Sequence, residues 1–225
     1  VKIFRLSVLG SLLLTAAIAG VLAQMPETDV RCIPVEERAG RELGCFVIAT
    51  AAVGKLRGIT QYWYLDAFAS TRAAERVQGP RGTVVAAAGK TWLFTIAPGG
   101  WQASGGERIA EIGPLKVGKT EDYTAVYMEA VFEPGMKSAV HRHAGPEAWY
   151  VLEGEQCLET PGGTLVARAG QGAIIPAGPP MQLTGTGTGK RHALVLILHD
   201  SSQAFTIPVS DWTPTGACLK PDAAS

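Results

Sequence analysis

Between residues 122 and 200 the chain is a succession of short apolar segments divided by Gly and Pro: DYTAVYMEAVFEPG, KSAVHRH, EAWYVLEGE, QCLET, GTLVAR, GAIIPAG, MQLTG and RHALVLILHD. Strands this short, with turns this regular, predict an all-β sandwich or barrel. RHALVLILHD is apolar on both faces, so it is expected to be a central strand covered on both sides. PGG at 161–163 marks a tight turn between two strands. The first half is less regular. Residues 24–44 form a polar arm, and 45–53, 59–68 and 108–115 read as strands. Residues 81–100 read as two strands around Gly89-Lys90. A helix is expected at 70–78 behind Ser70 as N-cap, stopping at Gly79-Pro80.

With 225 residues, 47% hydrophobic and 18% charged, the chain suits one large domain or two small ones. Formal charge is zero and the basic residues are scattered, so nothing resembles the footprint of a nucleic-acid binder. The first residues read as an export leader. Lys2 and Arg5 precede an apolar run, and Val21-Leu22-Ala23 fits a small-residue cleavage site with Gln24 as the mature start. An uncleaved anchor is the rival, but the run barely reaches spanning length and is weakened by Gly10, Ser11, Thr15 and Gly20. The expectation is an exported protein, periplasmic or secreted, touching membrane only through this segment. All 4 cysteines, Cys32, Cys45, Cys157 and Cys218, lie beyond it, and export with an even count suggests disulfides. Sequence does not choose among the connectivities, although a Cys32–Cys45 bridge would staple the arm. The chain contains no Asn and so no N-glycosylation acceptor.

GMKSAVHRHAGPEAWYVLEG at 135–154 carries two of the 4 histidines. Residues two apart on a strand share a face, so His141 and His143 point the same way with Arg142 opposite. AGP at 144–146 breaks that strand, and Glu147 opens the next, which can pair antiparallel and return a carboxylate to the same mouth. Two imidazoles and a carboxylate make the set used by open metal sites. The bland alternative is a solvated polar rim on a hairpin. By the same period of two, Trp149 shares the face of Glu147 and is a candidate pocket residue, as is Tyr127, while Tyr150 faces outward. His192 and His199 are an odd number of residues apart on one strand, so at most one points inward. Each reads as a hydrogen-bonded structural histidine.

The spacing Gly135-x5-His141-x-His143-x3-Glu147-x6-Gly154 resembles the first motif of the cupin superfamily, complete. The second motif is present at Gly170, Pro176 and Gly178, but Met181 stands where its histidine should be and Gly185 where its asparagine should be. The resemblance covers about residues 120–205. It implies a cupin-type jelly-roll β-barrel holding a divalent metal, Fe, Mn, Ni, Cu or Zn, through His141, His143 and Glu147. Met181 is then an apolar wall beside a three-ligand site, a fourth ligand to a soft metal such as copper, or the mark of a site that has lost its metal. The implied division is a leader at 1–23, a β-rich region with one helix at 24–115, the metal-binding cupin domain at 116–207 and a tail at 208–225. Region 24–115 is either a degenerate second cupin module or an arm wrapping the barrel or a second subunit. Cupins often dimerise, so a homodimer is a further implication.

Two functions follow from the resemblance. One is a metal-dependent enzyme of oxygenase, lyase or isomerase type acting on a small organic molecule, with no separate catalytic base in view. The other is a non-catalytic binding protein for a small molecule or metal, which the missing histidine favours.

Overall fold

The computed structural model describes residues 29–57, 60–119 and 121–219; the leader and its cleavage site lie outside them. Among the described residues no helix is long and apolar enough to cross a membrane. The first half contains β1 (Cys32–Pro34), β2 (Gly44–Lys55), β3 (Gln61–Phe68), the helix α1 (Thr71–Glu75), β4 (Gly82–Ala87), β5 (Lys90–Pro98) and β6 (Glu107–Leu115). The second half contains β7 (Asp122–Phe132), β8 (His141–Arg142), β9 (Glu147–Glu153), β10 (Glu155–Thr160) and β11 (Gly163–Arg168). It ends with β12 (Gly172–Ile175), β13 (Gln182–Thr186), β14 (Arg191–Asp200) and β15 (Ile207–Pro208).

These strands build three layers. The middle one is a six-stranded sheet in the order β1-β2-β7-β14-β9-β12. On one side it packs against a three-stranded sheet, β11-β10-β13, and a β15-β8 pair; on the other lies a four-stranded sheet, β4-β5-β3-β6. The middle and three-stranded sheets face each other as a jelly roll. Because the middle sheet is covered twice, its central strands must be apolar at both parities, and β14 is. Leu194, Leu196 and Leu198 face Trp63, Trp92 and Phe94 of the four-stranded sheet. Val195 and Ile197 face the jelly-roll interior with Met128, Phe132, Trp149 and Leu158.

The sheets do not respect the boundary expected between 115 and 116. β1 and β2 come from the N-terminal region yet form the edge of the middle sheet, with β2 running antiparallel to β7. The rest of that region, 61–115, makes one sheet rather than the facing pair of a second jelly roll. Locally the turn chemistry holds. Ala88 and Gly89 both take positive φ, 49° and 69°, and close the β4–β5 hairpin. Ser70 caps α1, its Oγ accepting from the Ala73 N–H at 3.3 Å, although α1 is shorter than the sequence suggested.

Glu129 clamps the layers together. Its carboxylate accepts from Arg38 Nη1 at 2.9 Å, the Ala88 N–H at 3.2 Å and His192 Nε2 at 2.8 Å. One buried side chain on β7 thus gathers the arm, the β4–β5 hairpin and β14. The bond from His192, with burial opposing and Arg38 assisting, holds the Glu129 carboxyl below its ordinary value.

Two disulfides complete the fold, Cys32–Cys45 across the parallel β1–β2 pair and Cys157–Cys218 between β10 and the tail. Beside the second, the Glu159 carboxylate accepts from the backbone N–H groups of Thr215 and Ala217. The described part of the tail is therefore fastened to β10.

Two outcomes are expected. Glu129→Gln should lower stability by roughly 1–3 kcal/mol at pH 7. A depressed carboxyl contributes stability above its unfolded value and loses it as pH falls through the folded one. The deficit of the variant should therefore shrink below pH 4.5, the unfolded reference, in urea titrations across pH. Cys218→Ser opens a bridge spanning 61 residues and should cost about 2–4 kcal/mol. Fast amide exchange at Thr215 and Ala217 should accompany that loss.

Candidate metal centre

His141 and His143 stand at the end of the jelly roll on β8 and just beyond it, their rings 4.7 Å apart and edge-on at 73°. Arg142, between them, is exposed. Glu147 opens β9. The two strands do not pair with each other, contrary to the simple hairpin reading. β8 pairs with β15, and its His141 exchanges backbone hydrogen bonds with Met181, whereas β9 lies in the middle sheet between β14 and β12. Residues 144–146 therefore carry the chain from one sheet to the other. The crossing is tight: a Cβ on Gly145 would meet the Leu198 carbonyl oxygen at 1.9 Å and His199 Cα at 2.8 Å. The histidines and the carboxylate thus converge from opposing sheets across the interior.

One potential ligand atom from each of His141, His143 and Glu147 lies within 4.8 Å of the others. The outer side of each imidazole is already engaged. Nδ1 of His141 lies 2.7 Å from the Ala139 carbonyl oxygen, and Nδ1 of His143 is bonded to the Phe205 carbonyl oxygen. A carbonyl only accepts, so both rings carry a proton on Nδ1, and Nε2 is the nitrogen left to a ligand. Nε2 of His143 and Oε2 of Glu147 are buried, 3.5 Å apart, and neither makes a hydrogen bond. A buried imidazole nitrogen facing a buried carboxylate oxygen at this spacing suits a shared cation. Tying the far ring nitrogen to a carbonyl is how ligating histidines are usually oriented.

The electrostatics agree. Burial and the neighbouring His143 lower the basicity of His141, against the pull of Glu147. Burial opposes ionisation of Glu147, but His143, His141 and Arg191 outweigh it and hold the carboxyl below its ordinary value. A neutral imidazole and an ionised carboxylate are the forms that ligate. The residues present fit a divalent ion with nitrogen and oxygen ligands.

The site opens into a cavity of about 630 Å³ whose walls include Met128, Phe132, Trp149, Val195, Ile197 and Phe205. Trp149 is there, as its parity with Glu147 requires. Tyr127 is not, and its assignment to the pocket is corrected. Met128 and Phe132 take the inward parity of β7, so Tyr127 turns to the four-stranded sheet and packs on Phe94 at 5.1 Å and Trp63 at 6.3 Å. Met181 is fully buried. Directly opposed strand residues share a face, so it lies on the same side as His141, packed into the apolar interior. Of the remaining histidines, His192 faces outward to Glu129. His199 bonds its own strand end, with Nδ1 2.8 Å from the Asp200 carbonyl oxygen. Neither belongs to the cluster, and Tyr150 packs towards the first half.

Arg191 was missed. It is 1% exposed, lines the cavity, and donates from Nε to Gln156 Oε1 at 2.8 Å and weakly from Nη1 to the Ala130 carbonyl oxygen at 3.4 Å. Burial pushes its guanidinium down to about 9, with Glu147 acting the other way, so it stays charged at neutral pH. Its parity with Val195 and Ile197 on β14 was the available signal.

Residues 128–197 match the sequence model of the cupin domain. No curated protein matches the chain. Among solved structures, the DMSP lyase DddQ of Ruegeria pomeroyi is 21% identical, with a TM-score of 0.33 over 38% of this chain and 43% of that one. Oxalate oxidase is 21% identical, with a TM-score of 0.32 over 39% of this chain and 46% of that one. A cupin superfamily protein of Desulfitobacterium hafniense is 15% identical, with a TM-score of 0.32 over 38% of this chain and 74% of that one. The match to the lyase and to the oxidase thus spans less than half the length of each. The segment matched by the family begins in β7 and ends in β14, the two strands at the centre of the middle sheet, and it makes this chain a cupin domain-containing protein.

Proposed function

We propose that this is an exported cupin metalloprotein that holds a divalent first-row metal through His141, His143 and Glu147 and acts on a small organic molecule in the adjoining cavity. The observation that carries the reading is the buried approach of Nε2 of His143 to Oε2 of Glu147 at 3.5 Å, with neither atom engaged elsewhere, behind imidazoles whose other nitrogens are bonded to carbonyls. An ion bound by three protein ligands supplies a Lewis acid with open positions for water, dioxygen or a substrate oxygen. The chain's own groups divide the remaining work. The Ala139 and Phe205 carbonyls hold the rings in register, and Phe205, Thr206, Pro208 and Val209 wall one side of the cavity. Met181 serves as an apolar wall beside His141. Lyase and oxygen-dependent chemistry both suit an open site of this kind. The leader and two disulfides, bonds that persist in oxidising compartments, support export.

The missing second-motif histidine favours a second reading, a protein that binds its ligand without turning it over. Metal analysis and ligand binding are common to both readings, and turnover separates them.

Purification without a histidine tag, followed by metal analysis by mass spectrometry, tests the site. Near-stoichiometric Fe, Mn, Ni, Cu or Zn is expected in the wild type and none in His141→Ala/His143→Ala. No metal in either protein, even after reconstitution, rejects the metal reading, and copper makes Met181 a ligand. Gly145→Ala should be destabilised by roughly 1–3 kcal/mol, since backbone must move to admit the methyl group. It should also lose metal, because the displaced turn sets the distance between His143 and Glu147.

A further inference from the structure

We infer that the ligand of this cavity is a small organic acid whose carboxylate is held by Arg191. The inference deepens the function proposed above and rests on it only for the placement of the ligand's other end, at the histidine–glutamate cluster.

Arg191 is a buried cation with no carboxylate in contact; Glu147 acts on it only at longer range. Among the described residues no carboxylate lies within ion-pair distance of it; its partners are the neutral oxygens of Gln156 and Ala130 and the face of the Phe132 ring, 5.4 Å away. A buried charge is costly unless paired. The neighbouring inventory is also short of acceptors. Gln156 gives its Oε1 to Arg191, which fixes the amide orientation and leaves its buried Nε2 without a partner. Trp149, which also lines the cavity, has a buried Nε1 without a partner. A guanidinium, an amide and an indole N–H are all donors, and a carboxylate is the compact acceptor that satisfies several at once.

The other charges around the cavity do not fill this role. Asp29 and Arg31 are exposed at the rim, and Glu147 belongs to the cluster. Met128, Phe132, Val195 and Ile197 provide apolar walls for a carbon skeleton, and about 630 Å³ is ample for a small organic ligand. Few donors and much apolar wall favour an organic carboxylate over a free phosphate or sulfate.

The test is calorimetric titration of the full chain with a panel of short aliphatic and aromatic mono- and dicarboxylates, each beside its neutral amide, and with inorganic phosphate and sulfate. At least one acid should bind the wild type about tenfold or more tighter than its amide, a gap of about 1.4 kcal/mol. Arg191→Met should erase that preference while metal content, measured separately, is unchanged. Arg191→Lys, which keeps the charge and loses the fork, and Trp149→Phe, which keeps a ring and loses the N–H, should each weaken acid binding severalfold. They decide the matter if Arg191→Met does not fold. Acids binding no tighter than amides overturns the inference, as does phosphate or sulfate binding equally well, or acid binding indifferent to all the folded variants. The two proposals fail separately: acid preference without bound metal rejects only the metal reading, and bound metal without acid preference rejects only this one.

Discussion

The middle sheet is buried on both faces, and the rest of the molecule is arranged around that constraint. β7 and β14 run antiparallel through its centre and send alternate side chains into two separate cores. The leucines of β14 bind the four-stranded sheet, and its valine, isoleucine and arginine positions face the jelly-roll interior. The four-stranded sheet works as backing for the sheet that positions Glu147 and Arg191. Glu129 anchors this backing, since it ties the β4–β5 hairpin and the arm to β7 by charge-assisted bonds that few apolar contacts could replace in direction.

The candidate centre depends on the jelly roll in a different way. Its carboxylate comes from the rigid middle sheet and its imidazoles from the opposing layer, whose strands there are only two residues long. The short β8 is held by three attachments: β15, the backbone pairing of His141 with Met181, and the engagement of both rings by main-chain carbonyls. One of those carbonyls, from Phe205, belongs to the segment that follows β14 and lines the cavity. The chain beyond β14 therefore contributes to the orientation of a histidine more than sixty positions earlier, and the Cys157–Cys218 bridge and Glu159 fasten the chain that follows.

How much of this was legible depended on whether the relevant periodicity was local. The histidine pair, Trp149 on the face of Glu147, a hairpin near Gly89 (one residue earlier than the expected Gly89-Lys90) and the two-sided burial of β14 each follow from an alternation of two or a turn signal within a few residues. Tyr127 was misplaced because β7 is apolar on both faces, so alternation alone did not say which parity looks into the cavity. Arg191 escaped attention although it shares the parity of Val195 and Ile197; a charged residue at a strand's first position reads as an exposed end until the strand is known to be enclosed. The attachment of β8 to β15 instead of β9 could not be read at all, since AGP marks a turn without saying which sheet the chain enters next.

By itself the sequence determined the all-β class, the cupin motif, the residue types of the candidate centre at His141, His143 and Glu147, and the presence of cysteines ready to pair. Those are properties of spacing and side-chain chemistry, carried by residues near one another in the chain. Only the tertiary structure decided that the site lies between two sheets, that Cys157 meets Cys218, that residues 61–115 form a single backing sheet, and that a buried arginine looks into the cavity. Each of these joins segments distant in sequence, and such pairings are chosen by the joint burial of whole sheet faces, a quantity that no local pattern contains.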